Sequence, residues 1–207
     1  MVRPDRFLAD DDRKRVLDAV KDAESRTAGE IRVLIVGRSA RHAWVPALIV
    51  GAATGGGTYA ALNASAWGWA GPAEAIAAAS VGAAAAFAGW WFIPRGRRAK
   101  KRSVWARAGR EFARLGIGKT AGATGVLVML SLWEREAVVL ADKAINDKAA
   151  PDTWAAQVKI LLDGVKAGRP GEGIAASVKE IGAILARHFP RRPDDVNELP
   201  DDLETRK

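Results

Sequence analysis

The sequence predicts an α/β protein, a three-layer sandwich with a small central mixed sheet, interrupted by a two-helix transmembrane hairpin. Three observations carry that prediction. Short runs of branched apolar residues alternate with longer stretches of helical apolar spacing. One such run, from Gly125 to Ser131, is apolar almost throughout, as in a strand covered on both faces. Between Arg41 and Arg95 the only formal charge is Glu74.

The elements follow in order. Asp10, Asp11 and Asp12 place capping oxygens and negative charge at a helix start, and Val16, Leu17, Val20 and Ala23 then give one apolar face. Ala28-Gly29 ends that helix, and Glu30–Val36 is rich in the branched residues of a strand. Beyond the uncharged stretch, Val104, Trp105, Ala108, Phe112 and Leu115 mark the apolar side of a helix that stops at Gly116. The second strand is Gly125–Ser131. Trp133, Glu134 and Arg135 turn the chain into a third strand, Glu136–Ala141. Trp154, Val158, Leu161 and Val165 define one further helix, and Ile174, Val178, Ile181 and Leu185 another, with Gly168, Pro170 and Gly171 between them.

The uncharged stretch reads as two spans, about 43–62 and 75–93, broken at Gly71-Pro72. Each is about 20 residues, enough to cross a bilayer core of about 30 Å. Arg38 and Arg41 precede the pair, Arg95, Arg97, Arg98, Lys100, Lys101 and Arg102 follow it, and the intervening loop has neither Lys nor Arg. This asymmetry predicts an integral inner-membrane protein of two spans with both termini cytoplasmic. Trp44, Trp67, Trp69, Trp90 and Trp91 fall at span ends, and Gly51, Gly55 and Gly82 are expected to form the face on which the helices touch. Residues 1–42 and 95–207 would then be one discontinuous domain, and 43–94 the hairpin.

The formal charge of +8 is accounted for by the basic run from Arg95 to Arg110. The first six of those basic residues are candidate contacts for anionic lipid headgroups. No recognition motif accompanies them, so no nucleic-acid partner is expected. With no cysteine in the chain, disulfides and thiolate chemistry are excluded. The first residues show no secretory signal.

An ordered set of segments stands out along the chain. The set begins with Glu24, Thr27, Gly29, Glu30 and Ile31 at the first strand, then Phe112, Leu115, Gly116, Lys119 and Thr120. It continues with Thr124 to Leu127, Glu134-Arg135, Ala141-Asp142 with Ile145, Trp154, and Gly173-Ile174. It closes with His188-Phe189-Pro190 and the tail Asn197-Glu198-Leu199-Pro200-Asp201. Taken in this order, the set resembles the TPM domain, named partly for a thylakoid acid phosphatase. The resemblance implies an α/β sandwich with a mixed sheet, usually tethered to a membrane. Its members include acid phosphatases, calcium binders and assembly factors. An interruption of the domain by a hairpin departs from that pattern.

Candidate chemistry rests on few residues. Asp142 follows an apolar strand, and ligands collect at the carboxyl ends of strands in open α/β sheets. It could hold a divalent ion, Ca2+ or Mg2+, or it could cap the short helix Lys143–Asn146. Glu30 is a second acidic candidate. Lys119, Thr120 and Thr124 form a candidate anion-binding loop, although Gly118-Lys119-Thr120 lacks the glycine spacing of a phosphate loop. Glu134 and Arg135 read as a solvated pair, and His42 and His188 as structural. The leading expectation is a membrane-tethered TPM-like module that binds a membrane or envelope protein. The rival is a metal-assisted phosphatase whose carboxylates include Asp142, and the sequence leaves enzymatic activity open.

Overall fold

The structure is a computed structural model of the chain. It describes residues 3–39, 51, 55–57, 59, 63, 68, 71, 76, 80, 83, 97–120, 122–150, 152–191, 198–200 and 202–206. The chain divides into two compact units, one made of residues 1–39 and 100–207, the other of residues 40–99.

The first unit holds, in order, α1 (Asp10–Glu24), β1 (Glu30–Val36), all but the first three residues of α2 (Arg97–Arg114), β2 (Gly125–Ser131), β3 (Glu136–Ala141), α3 (Lys143–Asn146), α4 (Thr153–Lys166), α5 (Pro170–His188) and β4 (Leu203–Arg206). Single 3-10 turns stand at Pro4–Arg6 and Ile117–Lys119. The sheet has four strands in the order β3-β2-β1-β4. β1 runs parallel to β2 and to β4, whereas β3 is antiparallel to β2.

Side-chain alternation explains why the central strands are buried throughout. Ile31, Val33 and Ile35 of β1, with Val126, Val128 and Leu130 of β2, face a core that includes Val16 and Val20 of α1, Leu161 of α4, and Ile174, Val178 and Ile181 of α5. Leu34, Val36, Leu127 and Met129 face the other way, onto Val104 and Ala108 of α2 and Ile117. Helices therefore cover both faces, and the central strands are buried at every position and apolar at most of them instead of at every second one. α2 ends at Arg114, and Gly116 follows with a φ of 68°, which lets the chain reverse where a side chain would be strained. Three acids in the first turn of α1 complement the helix dipole, while its N-cap position, Ala9, supplies no side-chain bond.

One expectation is corrected in this unit. Trp105, placed on the apolar side of α2, is 45% exposed. The tail contributes β4. Leu203 lies opposite Val33 and Arg206 opposite Val36. Arg32 Nη1, from a buried side chain of β1, donates to the Pro200 carbonyl and pairs with Asp202, which ties down the approach to that strand. Asn197 and Asp201 of the tail lie outside the described residues.

The membrane expectation is also corrected. Most of the two spans, 43–62 and 75–93, and the intervening tryptophans lie outside the described residues. Among the described residues no helix is long and apolar enough to cross a membrane, and the assignment to a two-span integral membrane protein with cytoplasmic termini falls with that finding. The physical reason is compositional. Freedom from charge gave the stretch its length, but much of it is alanine and glycine, which supply little of the transfer energy that Leu, Ile, Phe and Val bring to a span. In the second unit, residues 51, 55–57, 59, 63, 76, 80 and 83 are helical. Among the described residues, a methyl group at Gly51 or Gly55 would meet nothing within 4 Å; Gly82 lies outside the described residues.

Candidate functional site

The acids singled out by sequence gather at the amino end of β1 and β2. Glu30 lies opposite Gly125, and the Asp142 N–H donates to the Gly125 carbonyl at 2.9 Å, so the three form one row across the sheet. Asp142 does follow the carboxyl end of its strand. Because β3 is antiparallel, however, that end lies beside the amino ends of the parallel pair, opposite to where a parallel sheet opens its crevice. Asp142 Oδ1 accepts the Lys143 N–H at 2.7 Å, which is the capping role. Its Oδ2 is buried near Gly118 and has no hydrogen-bond partner among the described residues.

The other candidates serve the backbone. Glu30 Oε1 accepts the Glu198 N–H at 3.0 Å, holding the returning tail. Glu24 Oε1 accepts the Ile31 N–H at 2.8 Å. Thr120 Oγ1 accepts the Thr124 N–H at 3.0 Å, and Thr124 Oγ1 donates to the Ala28 carbonyl at 2.8 Å. Both hydroxyls are buried in this loop-to-loop bonding, and Lys119 is exposed beside them. Among the described residues no three His, Cys, Asp or Glu side chains converge as a metal centre. His188 lies in the last turn of α5 and is exposed, and His42 lies outside the described residues.

The opposite end holds a cluster that sequence reasoning missed. The Ser39 N–H is shared by both carboxylate oxygens of Glu134, at 3.1 and 3.0 Å. Ser39 Oγ donates to Ser131 Oγ at 2.8 Å, and Ser131 Oγ donates to Glu134 Oε2 at 2.5 Å. Glu134 is 4% exposed and is no solvated partner of Arg135. An acid in a tight turn, just after a strand ending in serine, was the available signal. Trp133 and Leu132 donate their N–H groups to the carbonyls of Gly37 and Val36, so the β2–β3 turn is stitched to the segment leaving β1. The Arg38 guanidinium lies 5.1 Å from the centre of the Trp133 ring, close enough for a cation–π contact.

Arginines gather around Glu111 at the same end. Arg114 pairs with it at 2.6 Å, Arg206 at 3.3 Å and Arg107 at 3.5 Å, and Arg107 also donates to the Arg38 carbonyl. Burial pushes the Glu111 carboxyl up, but the Arg114 hydrogen bond and the charges of all three arginines outweigh it and hold it below the usual carboxylate value. Burial lowers the Arg107 guanidinium against the opposing pull of Glu111. Arg114 and Arg206 also meet Glu204, at 2.7 and 3.6 Å, so helix α2 and strand β4 are joined through charge.

Of the expected headgroup residues, Lys100, Lys101 and Arg102 are exposed on α2. Arg97 and Arg98 belong to the same helix, and Arg95 lies outside the described residues.

No family model and no curated protein matches the chain. Among solved structures, it is similar to the NMR structure of BA42 protein from the psychrophilic bacterium Bizionia argentinensis. The TM-score is 0.64 at 22% identity, covering 99% of each chain. That likeness is one of fold.

Proposed function

We propose that the chain is a TPM-like binding module that works by presenting a surface and not by catalysis. The carboxylates that a phosphatase would use are already committed to the chain's own backbone. Glu30 holds the Glu198 N–H, Glu24 the Ile31 N–H, Glu134 the Ser39 N–H and Asp142 the Lys143 N–H. A hydrolytic centre needs several groups converging on one reacting atom, and carboxylates that brace strands and turns do not converge. The ordered TPM-like segments support the same reading, since that domain serves assembly as well as hydrolysis.

One observation favours the second reading, a metal-assisted phosphatase. Asp142 Oδ2 is buried without a partner among the described residues, and a hard cation is the natural ligand for such an oxygen. Hydrolysis of a chromogenic phosphomonoester with Mg2+ or Ca2+ separates the two. The binding reading expects no turnover above a metal-only control. Turnover that Asp142→Asn removes would establish the phosphatase and end the binding reading.

A further inference from the structure

We infer that the carboxyl end of β1 and β2, with the stretch of α2 from Lys100 to Trp105, is a docking surface for an anionic phospholipid bilayer, approached peripherally; this rests on the binding-module reading and names its partner.

The direction of α2 places the parts. The turn that follows it, at Ile117, packs against Gly125 at the start of β2, whereas Arg107 reaches the carbonyl of Arg38, past the end of β1. The helix therefore runs from the carboxyl end of the parallel strands toward their amino end. At a rise of about 1.5 Å per residue, Lys100 stands about 10 Å beyond Arg107, clear of the sheet. Lys100, Lys101 and Arg102 are exposed there, and Arg135, in the β2–β3 turn at the same end of the sheet, is exposed as well. None of these four side chains has an ion-pair partner among the described residues.

Two features distinguish this end from an ordinary solvated surface. First, its charge opposes the helix dipole. α1 opens with three acids, as the positive end of a helix dipole favours, but the first turn of α2 has none, and Lys100, Lys101 and Arg102 follow closely. Cations at the wrong end of a helix do not serve its stability, and such local conflicts concentrate where function demands them. Second, large aromatic surface is interleaved with the charge. Trp105 is 45% exposed on α2, and Trp133 is 54% exposed in the turn with Arg38 against its ring. Amphipathic tryptophan rings beside lysine and arginine match the headgroup layer, where an indole can be half buried while cations meet lipid phosphates. A nucleic-acid surface would be served by the charge, but no recognition motif accompanies it.

The test is flotation of the 207-residue chain with vesicles, comparing phosphatidylcholine alone with phosphatidylcholine plus phosphatidylglycerol. Retention on the anionic vesicles only, weakening with salt, is expected. The triple variant Lys100→Gln, Lys101→Gln, Arg102→Gln should bind those vesicles on the order of a hundredfold more weakly, since each basic residue near the surface contributes about a factor of five. Its melting temperature should be unchanged or higher, because the substitutions relieve the dipole conflict. Trp133→Ala should weaken retention while leaving the salt dependence in place. Equal retention on neutral and anionic vesicles, or full retention by the triple variant, overturns the proposal. So does tighter binding of duplex DNA that the same variant abolishes. Loss of vesicle binding without phosphatase turnover would remove this surface alone and leave the binding reading standing.

Discussion

Ser39 and Glu134, 95 positions apart, are joined by one backbone N–H shared between two carboxylate oxygens, at 3.1 and 3.0 Å. The bond ties the segment leaving β1 to the turn between β2 and β3. It stands where the chain passes into residues 40–99, and it is buried, so water cannot replace it cheaply.

Replacing Glu134 tests that clamp. Glu134→Ala leaves the Ser39 N–H and the Ser131 hydroxyl without their acceptor, and hydrogen bonds to a charged group are each worth about 1.5–3 kcal/mol. A loss of about 3 kcal/mol in denaturant unfolding is expected. Ser39→Ala removes only a hydroxyl and should cost about 1 kcal/mol. Equal costs for the two would show that the carboxylate is not the centre of the cluster.

Glu111 predicts a pH dependence. Its folded-state carboxyl sits below the ordinary value of 4.5, so the stability it contributes is fully present above that value and is lost as pH falls from 4.5 through the folded-state value. Glu111→Gln should cost about 2 kcal/mol near neutrality. That figure is set below the value for a fully buried pair because Arg114 and Arg206 are 39% and 42% exposed. The gap between variant and parent in denaturant midpoint should close on acidification below 4.5. A gap that stays constant to strongly acidic pH would contradict this origin.

Gly164 and Gly173 bring α4 and α5 into backbone contact. A Cβ on Gly164 would stand 2.4 Å from Gly173 Cα, with no flexible side chain to yield. Helix propensity alone says Gly164→Ala stabilises by about 1 kcal/mol. The packing predicts the opposite sign, a loss of about 2–3 kcal/mol as the helices are forced apart. The sign of the shift in melting temperature decides between them.

Legibility in the sequence followed the strength of local physics. β1, β2 and β3 were readable at the bounds the structure gives, because strands covered on both faces carry mostly apolar, branched residues along their length. β4 was not readable: Leu203–Arg206 is short and polar, only Leu203 is buried, and the strand is made by pairing along β1. Trp105 fits a helical apolar period yet faces outward, since periodicity reports spacing and not which side is covered. The role of Asp142 turned on strand direction, which no run of residues states. Glu134 looked solvated because its neighbours are polar in sequence, while its partners come from distant positions.

The central claim is that the carboxylates of this chain hold its fold, and the most direct measurement concerns Asp142. Thermal unfolding of the parent protein and of Asp142→Asn, each with and without Ca2+ or Mg2+, compares a cap with a ligand. Asn caps a helix about as well as Asp, so the variant should melt close to the parent without metal. An ion bound to the folded state would add about 2.7 kcal/mol at a hundredfold excess over its dissociation constant. The account predicts no metal-dependent rise in either protein. A rise in the parent that Asp142→Asn abolishes would contradict it and make the buried Oδ2 a metal ligand.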